Sequence, residues 1–308
     1  MNSSSTDATR AATAQLSVVI VSLNRASLLT RCLDALVPQA TSEIEILVVR
    51  GTASDGGTID TLRASFPRVR WLEAEAGCTV PRMRTLGIDS SRGDIVGLLE
   101  DDCVAEQGWC RAALAAHATS DVAIGGAVEP GPYTRALDWA VYFCEYGRFM
   151  LPLPNPPMAL AGNNVTYKRA ALNRVSSQWR DGLFDVFVHW AWQQEGQPMS
   201  NEERMVVRNV NSWSRSHVTS VPYHHGRAFA GRRFERRSTS RRIAFALLVP
   251  LLPVVKVARV AGDTIRRRRL FGPLIRAFPW LVLSTICWSI GEGVGALAGP
   301  GGSESRWR

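Results

Sequence analysis

The sequence predicts an α/β fold whose central sheet is mostly parallel and covered by helices on both faces. Strand-sized runs of Val, Ile and Leu recur through the first 130 residues, and stretches with helical periodicity separate them. A strand with one wet face would alternate apolar and polar residues, which these runs do not do. The 308-residue length and 46% hydrophobic content allow one large or two modest domains. They exclude a disordered, collagen-like or small disulfide-framed chain.

Strands are expected at Leu16–Leu23, Glu43–Arg50, Val69–Ala74, Asp94–Asp102 and Val122–Pro130. Helices are expected between them at Ala26–Leu36, Thr58–Phe66, Val80–Ser91 and Gly108–Ala118. In such a sheet ligands gather beyond the carboxyl ends of the strands. Those ends carry Ser22, Asn24 and Arg25 after the first strand, Arg50 and then GTASDGG with Asp55 after the second, and Glu100, Asp101 and Asp102 after the fourth. No GxGxxG follows the first strand and no GxxxxGK[ST] occurs, which excludes the dinucleotide fingerprint and the Walker loop. Three consecutive carboxylates repel one another unless a cation or strong donors compensate. Mg²⁺ or Mn²⁺, which bridges one or two carboxylates to a phosphate-bearing ligand, would do so. The alternative is an exposed acidic turn in which Asp102 caps the segment after it.

The net charge of +9 is concentrated late in the chain. From Arg227 to Arg276 there are fourteen Lys or Arg against only Glu235 and Asp263. These charges bracket two apolar stretches, Ile243–Val255 and Phe278–Ile290. Both are shorter than the roughly 20 apolar residues of a bilayer span. Flanked by runs such as Arg266–Arg269, they fit elements lying at an anionic membrane surface, with buried core helices as the alternative. No nucleic-acid partner is expected, because no basic strand interleaved with aromatics appears. The six cysteines lack zinc-ligand spacing or a paired framework, and Met1–Gln15 is polar and unlike a secretory signal. The cytoplasmic face of the cell membrane is the expected location.

Four blocks carry a resemblance: SVVIVSLNR (Ser17–Arg25), VVRGTASDGG (Val48–Gly57), RMRTLGIDSSRGDIVGLLEDD (Arg82–Asp102) and GNNVTYKRAAL (Gly162–Leu172). Their order resembles the family 2 glycosyltransferases, which have the GT-A nucleotide-diphospho-sugar transferase fold. The resemblance implies transfer of a sugar from a nucleotide-diphosphate donor, usually with inversion, using a divalent metal held by an acidic Asp-x-Asp type motif. By analogy Asp102 would ligate the metal, and Glu100 or Asp101 would reach the ribose or a metal-bound water. Ser22, Asn24, Asp55 and Arg84 would bind donor, with Arg82 a competitor for the role of Arg84. A basic side chain there would stabilise charge developing on the leaving diphosphate.

Inversion also needs a general base. The corresponding block is Gly182–Gly196, where Phe184 stands in place of the family's Glu and Asp185 in place of its Asp. Asp185 is the expected base. His189, one helical turn on, would orient Asp185, bind acceptor or act as the base itself, or else be a core histidine beside Trp190 and Trp192. Arg50 replaces the Asp that in this family commonly recognises the nucleobase, which leaves the donor's base open. Ser220–Arg233 and Gly291–Gly299 resemble segments of some actinobacterial members that have a basic, apolar C-terminal region. Arg227 would face a phosphate, while His217, His224 and His225 fall in no fixed ligand spacing.

The expected organisation is an N-terminal tail over 1–15, a GT-A catalytic domain over 16–225 and a helical, membrane-associating region over 226–308. The expected activity is metal-dependent glycosyl transfer to a lipid-linked or surface-glycan acceptor. Two alternatives stand beside it, a soluble tailoring transferase acting on a small natural product and a catalytically degenerate nucleotide-sugar-binding or scaffold protein.

Overall fold

The computed structural model describes residues 14–23, 26–51 and 56–306. Among these, eight strands form one mixed sheet in the order β3-β2-β1-β4-β7-β6-β8-β5. The strands are β1 (Leu16–Ser22), β2 (Ile44–Arg50), β3 (Arg70–Glu73), β4 (Ile95–Glu100), β5 (Cys103–Ala105), β6 (Ala123–Pro130), β7 (Asn164–Lys168) and β8 (Met199–Asn209). The β3-β2-β1-β4 half is parallel throughout. Beyond it β7 runs antiparallel to both β4 and β6, and β8 pairs parallel with β6. Every residue of β1 is buried, because helices cover both faces, and this is why its sequence is an unbroken apolar run.

The covering helices are α1 (Ala26–Leu36), α2 (Gly56–Ser65), α3 (Val80–Ser90), α4 (Trp109–Ala116), α5 (Ala136–Glu145), α6 (Arg169–Arg174) and α7 (Asp185–Gln194). Leu29, Cys32, Leu33 and Leu36 of α1 pack on one face of β1 and β2, and Met83 and Ile88 of α3 pack on the other. Parallel registry then aligns the strand ends: Ser22 lies opposite Arg50, and Val21 opposite Glu100. The Asp101 amide donates to the Val21 carbonyl at 3.1 Å, so the acidic triplet leaves the sheet beside the end of β1.

Four further helices complete the chain: α8 (Ser220–Arg233), α9 (Thr239–Leu248), α10 (Leu252–Arg267) and α11 (Phe271–Ala298). The expected boundary between 225 and 226 falls inside α8, and Gly226 there lies against the Trp288 carbonyl of α11. The backbones of α8 and α11 touch: a Cβ at Gly291 would sit 2.1 Å from the Tyr223 carbonyl oxygen, and one at Gly295 2.2 Å from that of Arg227. Since the obstruction is backbone, no rotamer relieves it. Gly291→Ala is therefore expected to destabilise the protein by about 3 kcal/mol, measured by urea denaturation. An unchanged midpoint would refute the close approach.

The two apolar stretches are longer as helices than their sequence suggests. Thr239–Arg267 and Phe271–Ala298 are 29 and 28 residues, long and apolar enough to cross a membrane. Pro250 and Pro253 do not end the first one, because they occupy first-turn positions of the 3₁₀ segment Val249–Leu251 and of α10, where no backbone N–H is needed. The Arg266–Arg269 run also differs from a uniformly solvated patch. Arg269 forms a two-pronged pair with buried Glu129 at 2.6 and 3.0 Å, and Arg267 donates to the carbonyls of Arg148 and Pro152. Only Arg266 and Arg268 of the four are exposed.

Candidate active site

Arg84 organises the polar groups at the carboxyl end of the sheet. It sits in the first half of α3, and its guanidinium donates to Glu100 Oε1 at 3.0 Å and to Asp185 Oδ1 at 2.9 Å. Burial alone would lower the Arg84 pKa, but the charges of Asp185 and Glu100 outweigh it and hold the pKa above the usual value. Arg82 is exposed and takes no part in this bridge.

Asp185 is the first residue of α7, where the helix dipole favours a carboxylate. Its seat depends on Gly162. A Cβ at that position would lie 2.7 Å from Asp185 Oδ2 and 2.8 Å from both Cγ and Oδ1. The glycine opening the GNN block thus leaves room for the carboxylate that Arg84 holds. Asn164 of the same block is structural: its amide reaches the carbonyls of Ala127 and Met205, each at 2.8 Å, and it accepts from Trp109 Nε1 at 2.9 Å.

Asp101 and Asp102 are both buried. Burial, with Glu100 and Asp101 as neighbours, pushes the Asp102 carboxyl up to about 7, against the pull of Asn209 and Asn211. Asn211 Nδ2 donates to Asp102 Oδ2 at 3.1 Å. Asn209 lies beside the same carboxylate, and its side chain is a second donor that opposes the rise. Tyr133 fixes Asn209 from behind, donating to its carbonyl and to Oδ1 at 2.5 and 2.8 Å. Neither asparagine carried a signal in the sequence, since they stand at the end of a strand whose first half is polar. Burial likewise raises the Glu100 carboxyl, with Arg84 opposing.

His189 is buried in the core, near enough for the charges of Asp185 and Arg84 to act on it. It is 3% exposed, its Nε2 lies 2.9 Å from the Tyr167 hydroxyl, and its ring stacks near Trp192. Burial pushes its pKa down to about 4, as it does for His117. Both histidines resist protons that the unfolded chain accepts near 6.5. Their contribution to stability is complete above pH 6.5 and is lost as pH falls toward 4, by roughly 3 kcal/mol each. Melting curves at pH 7 and pH 5 should show His117→Gln losing less stability than the wild type, and equal losses would contradict this reading.

Ser22 is buried, with Arg50 Nη1 3.4 Å from its hydroxyl. Asn24 and Asp55 lie outside the described residues. Arg227, expected to face a phosphate, donates from Nε to the Gly299 carbonyl at 3.3 Å. His217 is 3.0 Å from Ser214, His224 is 3.0 Å from Ser303, and His225 is 3.8 Å from Glu145. Phe184 is covered by the Arg232 guanidinium at 4.3 Å. Among the described residues no three His, Cys, Asp or Glu side chains converge as a metal cage.

The model of glycosyl transferase family 2 matches residues 17–176, just over half of the chain, including Arg84, Gly162 and the acidic triplet but not Asp185. The chain belongs to that family. It is a glycosyltransferase with a GT-A-like fold. Its structure is similar to that of a mannosyltransferase from Pyrobaculum calidifontis in complex with GDP-Man and Mn²⁺, with a TM-score of 0.59 and 14% identity over 92% of this chain and 87% of the other. No curated protein sequence matches the glycosyltransferase at a significant level.

Proposed function

We propose that this glycosyltransferase moves a sugar from a nucleotide-diphosphate donor to a lipid-linked or surface-glycan acceptor at the cytoplasmic face of a membrane, with inversion. The observation that carries the reading is the Arg84 bridge between Glu100 and Asp185 beside the buried acidic triplet. Asp185 is the general base, oriented by Arg84 and by the space at Gly162. Arg84 is also the cation available to the leaving diphosphate. His189 acts on this machinery as a positioning residue through Tyr167 and the core of α7. Ser22, Asn24, Asp55, Glu100 and Asp101 contribute to donor binding.

The donor set fits a hard divalent cation held partly by the substrate. Among the described residues no three of the site's carboxylates converge on one point, so Mg²⁺ or Mn²⁺ held there would need further oxygens from phosphates and water. Asp102 would hold it, with its carboxylate steadied by Asn209 and Asn211. When bound, the ion supplies charge stabilisation to the departing diphosphate. The solved Pyrobaculum calidifontis mannosyltransferase contains GDP-Man and Mn²⁺, which supports a nucleotide-sugar donor here.

Membrane association rests on inverted helices. On α9 and α10 the exposed residues from Ile243 to Val255 are apolar, with Leu247 76% and Val254 69% exposed, while Arg242 and Lys256 turn inward to the Ala296 carbonyl and Glu292. Such a face suits hydrocarbon and not water. Because α11 packs on α5 and on the polar α8, the hairpin lies against the catalytic domain, which favours seating in the plane of the membrane. The same exposed face disfavours a soluble tailoring enzyme. We take the catalytic unit to end with α8 and the membrane-seating unit to begin with α9.

The test is a panel of UDP-, GDP- and dTDP-sugars with and without Mn²⁺, read by thermal shift and donor hydrolysis. One donor should stabilise and turn over only with metal. Binding of no donor under any condition would leave a scaffold reading in front.

A further inference from the structure

A cavity of about 260 Å³ lies where α10 and α11 meet α5 and the turn after it. Its walls are unusually divided. Phe143, Phe149 and Trp288 line one part, while Arg148, Lys256 and Arg259 bring cations to another. Lys256 is already paired with Glu292 at 3.0 Å and lies over the Trp288 ring. The carboxylate of Asp263, also in the wall, is taken by Arg266 and Arg267 at 3.2 and 3.4 Å. Among the described residues neither Arg148 nor Arg259 has a carboxylate within 4 Å, and the side chain of Arg148 has only the ring of its neighbour Phe149.

Two guanidinium groups, each with no carboxylate within 4 Å among the described residues, repel each other. Burial and the charge of Arg259 push the Arg148 guanidinium down, with Asp263 only partly opposing. An anion entering the cavity would relieve both costs, and a phosphate suits the planar donor fork of arginine. The surroundings select what the phosphate is attached to. Arg259 comes after the exposed positions Val254, Val255 and Ala258, so the rim of the cavity meets the outward apolar face of α10. A chain of apolar carbons leaving the phosphate would run along that face and into lipid.

A neighbour of the cavity wall lies within reach of the acidic triplet's charge. Tyr146 lies between the wall residues Glu145 and Arg148, and burial together with the charges of Glu100 and Asp102 raises its phenol well above the usual range.

We propose that this cavity binds the phosphate of an amphiphile, with Arg148 and Arg259 as its ligands and the apolar chain lying along α10 and α11. The proposal deepens the membrane-acceptor reading and rests on it for the direction of the chain. Two sources share this chemistry, a lipid-phosphate acceptor and a headgroup of the bilayer itself.

The test uses the full-length protein in mild detergent, with farnesyl phosphate, farnesol and inorganic phosphate as probes of melting temperature. Farnesyl phosphate should raise the melting temperature and the other two should not. Arg259→Gln, at an exposed position that folding tolerates, should weaken the farnesyl phosphate response about tenfold, and Arg148→Gln with Arg259→Gln should remove it. Flotation on phosphatidylglycerol vesicles separates the sources. Loss of the farnesyl phosphate response with flotation intact assigns the site to an acceptor, and loss of both assigns it to a bilayer headgroup. Responses unchanged in both variants overturn the proposal. Nucleotide-sugar binding, measured on the same samples, should be unaffected. If it is absent from the wild type while the farnesyl phosphate response persists, the transferase reading fails and the phosphate site stands.

Discussion

Asp102→Asn is expected to make the metal-free protein more stable while abolishing turnover. In the folded chain Asp102 is buried beside Glu100 and Asp101, and its carboxyl is pushed up to about 7 from an ordinary 3.8. Between those values the folded state keeps a proton that the unfolded state has released, so stability falls as pH rises through the window and is lowest above pH 7. Asparagine removes that cost. The gain should be absent below pH 4 and on the order of 2 kcal/mol at pH 8. Turnover should drop by at least about a thousandfold, because the charge that offsets the departing diphosphate is lost. Mn²⁺ with donor should stabilise the wild type and leave the variant unmoved. A variant that melts below the wild type at pH 8 would show that the acidic triplet is a satisfied turn.

Asp185→Asn is expected to lower kcat by about a thousandfold, the range of a lost general base, while donor binding survives. The amide keeps the shape that Gly162 accommodates and can still accept from Arg84, but it cannot take a proton. Gly162→Ala offers an independent check with the carboxylate intact. Its methyl would occupy the space 2.7 Å from Asp185 Oδ2, so the carboxylate must leave Arg84. The kcat should fall with little change in the KM for donor. Retention of full activity by both variants would remove Asp185 from the chemistry and return His189 to consideration.

The first half of the sheet is legible in the sequence almost to the residue. The helix expected at Ala26–Leu36 has those bounds, and the strand expected at Glu43–Arg50 is observed at Ile44–Arg50. Both elements are read from local periodicity, and both are buried against immediate neighbours in the parallel half. β5, β7 and β8 were not legible. β8 begins Met199-Ser-Asn-Glu-Glu-Arg, half exposed, and owes its place to pairing with β6 across a register shift at Gly126/Ala127. A three-residue β5 has no period to read at all.

For the site, residue types and spacing selected Asp102, Arg84 and Asp185 as candidates, since only certain side chains do this chemistry and the blocks occur in order. Their relations came from tertiary structure. Arg84 and Asp185 are 101 positions apart, and nothing local links them. His189 lies one turn beyond Asp185, yet burial against Tyr167 and Trp192 turns it into the core. The arginine run shows the same division. By itself the sequence determined that positive charge and apolar helices lie together at the end of the chain. Only the fold decided that Arg269 pairs with Glu129 and Arg267 caps carbonyls, while Arg259, with no carboxylate partner among the described residues, lines a cavity. Periodicity and composition are properties of neighbours in the chain and survive without a structure. The partner of a charge is set by which distant segment packs against it, and packing is decided by the whole core at once.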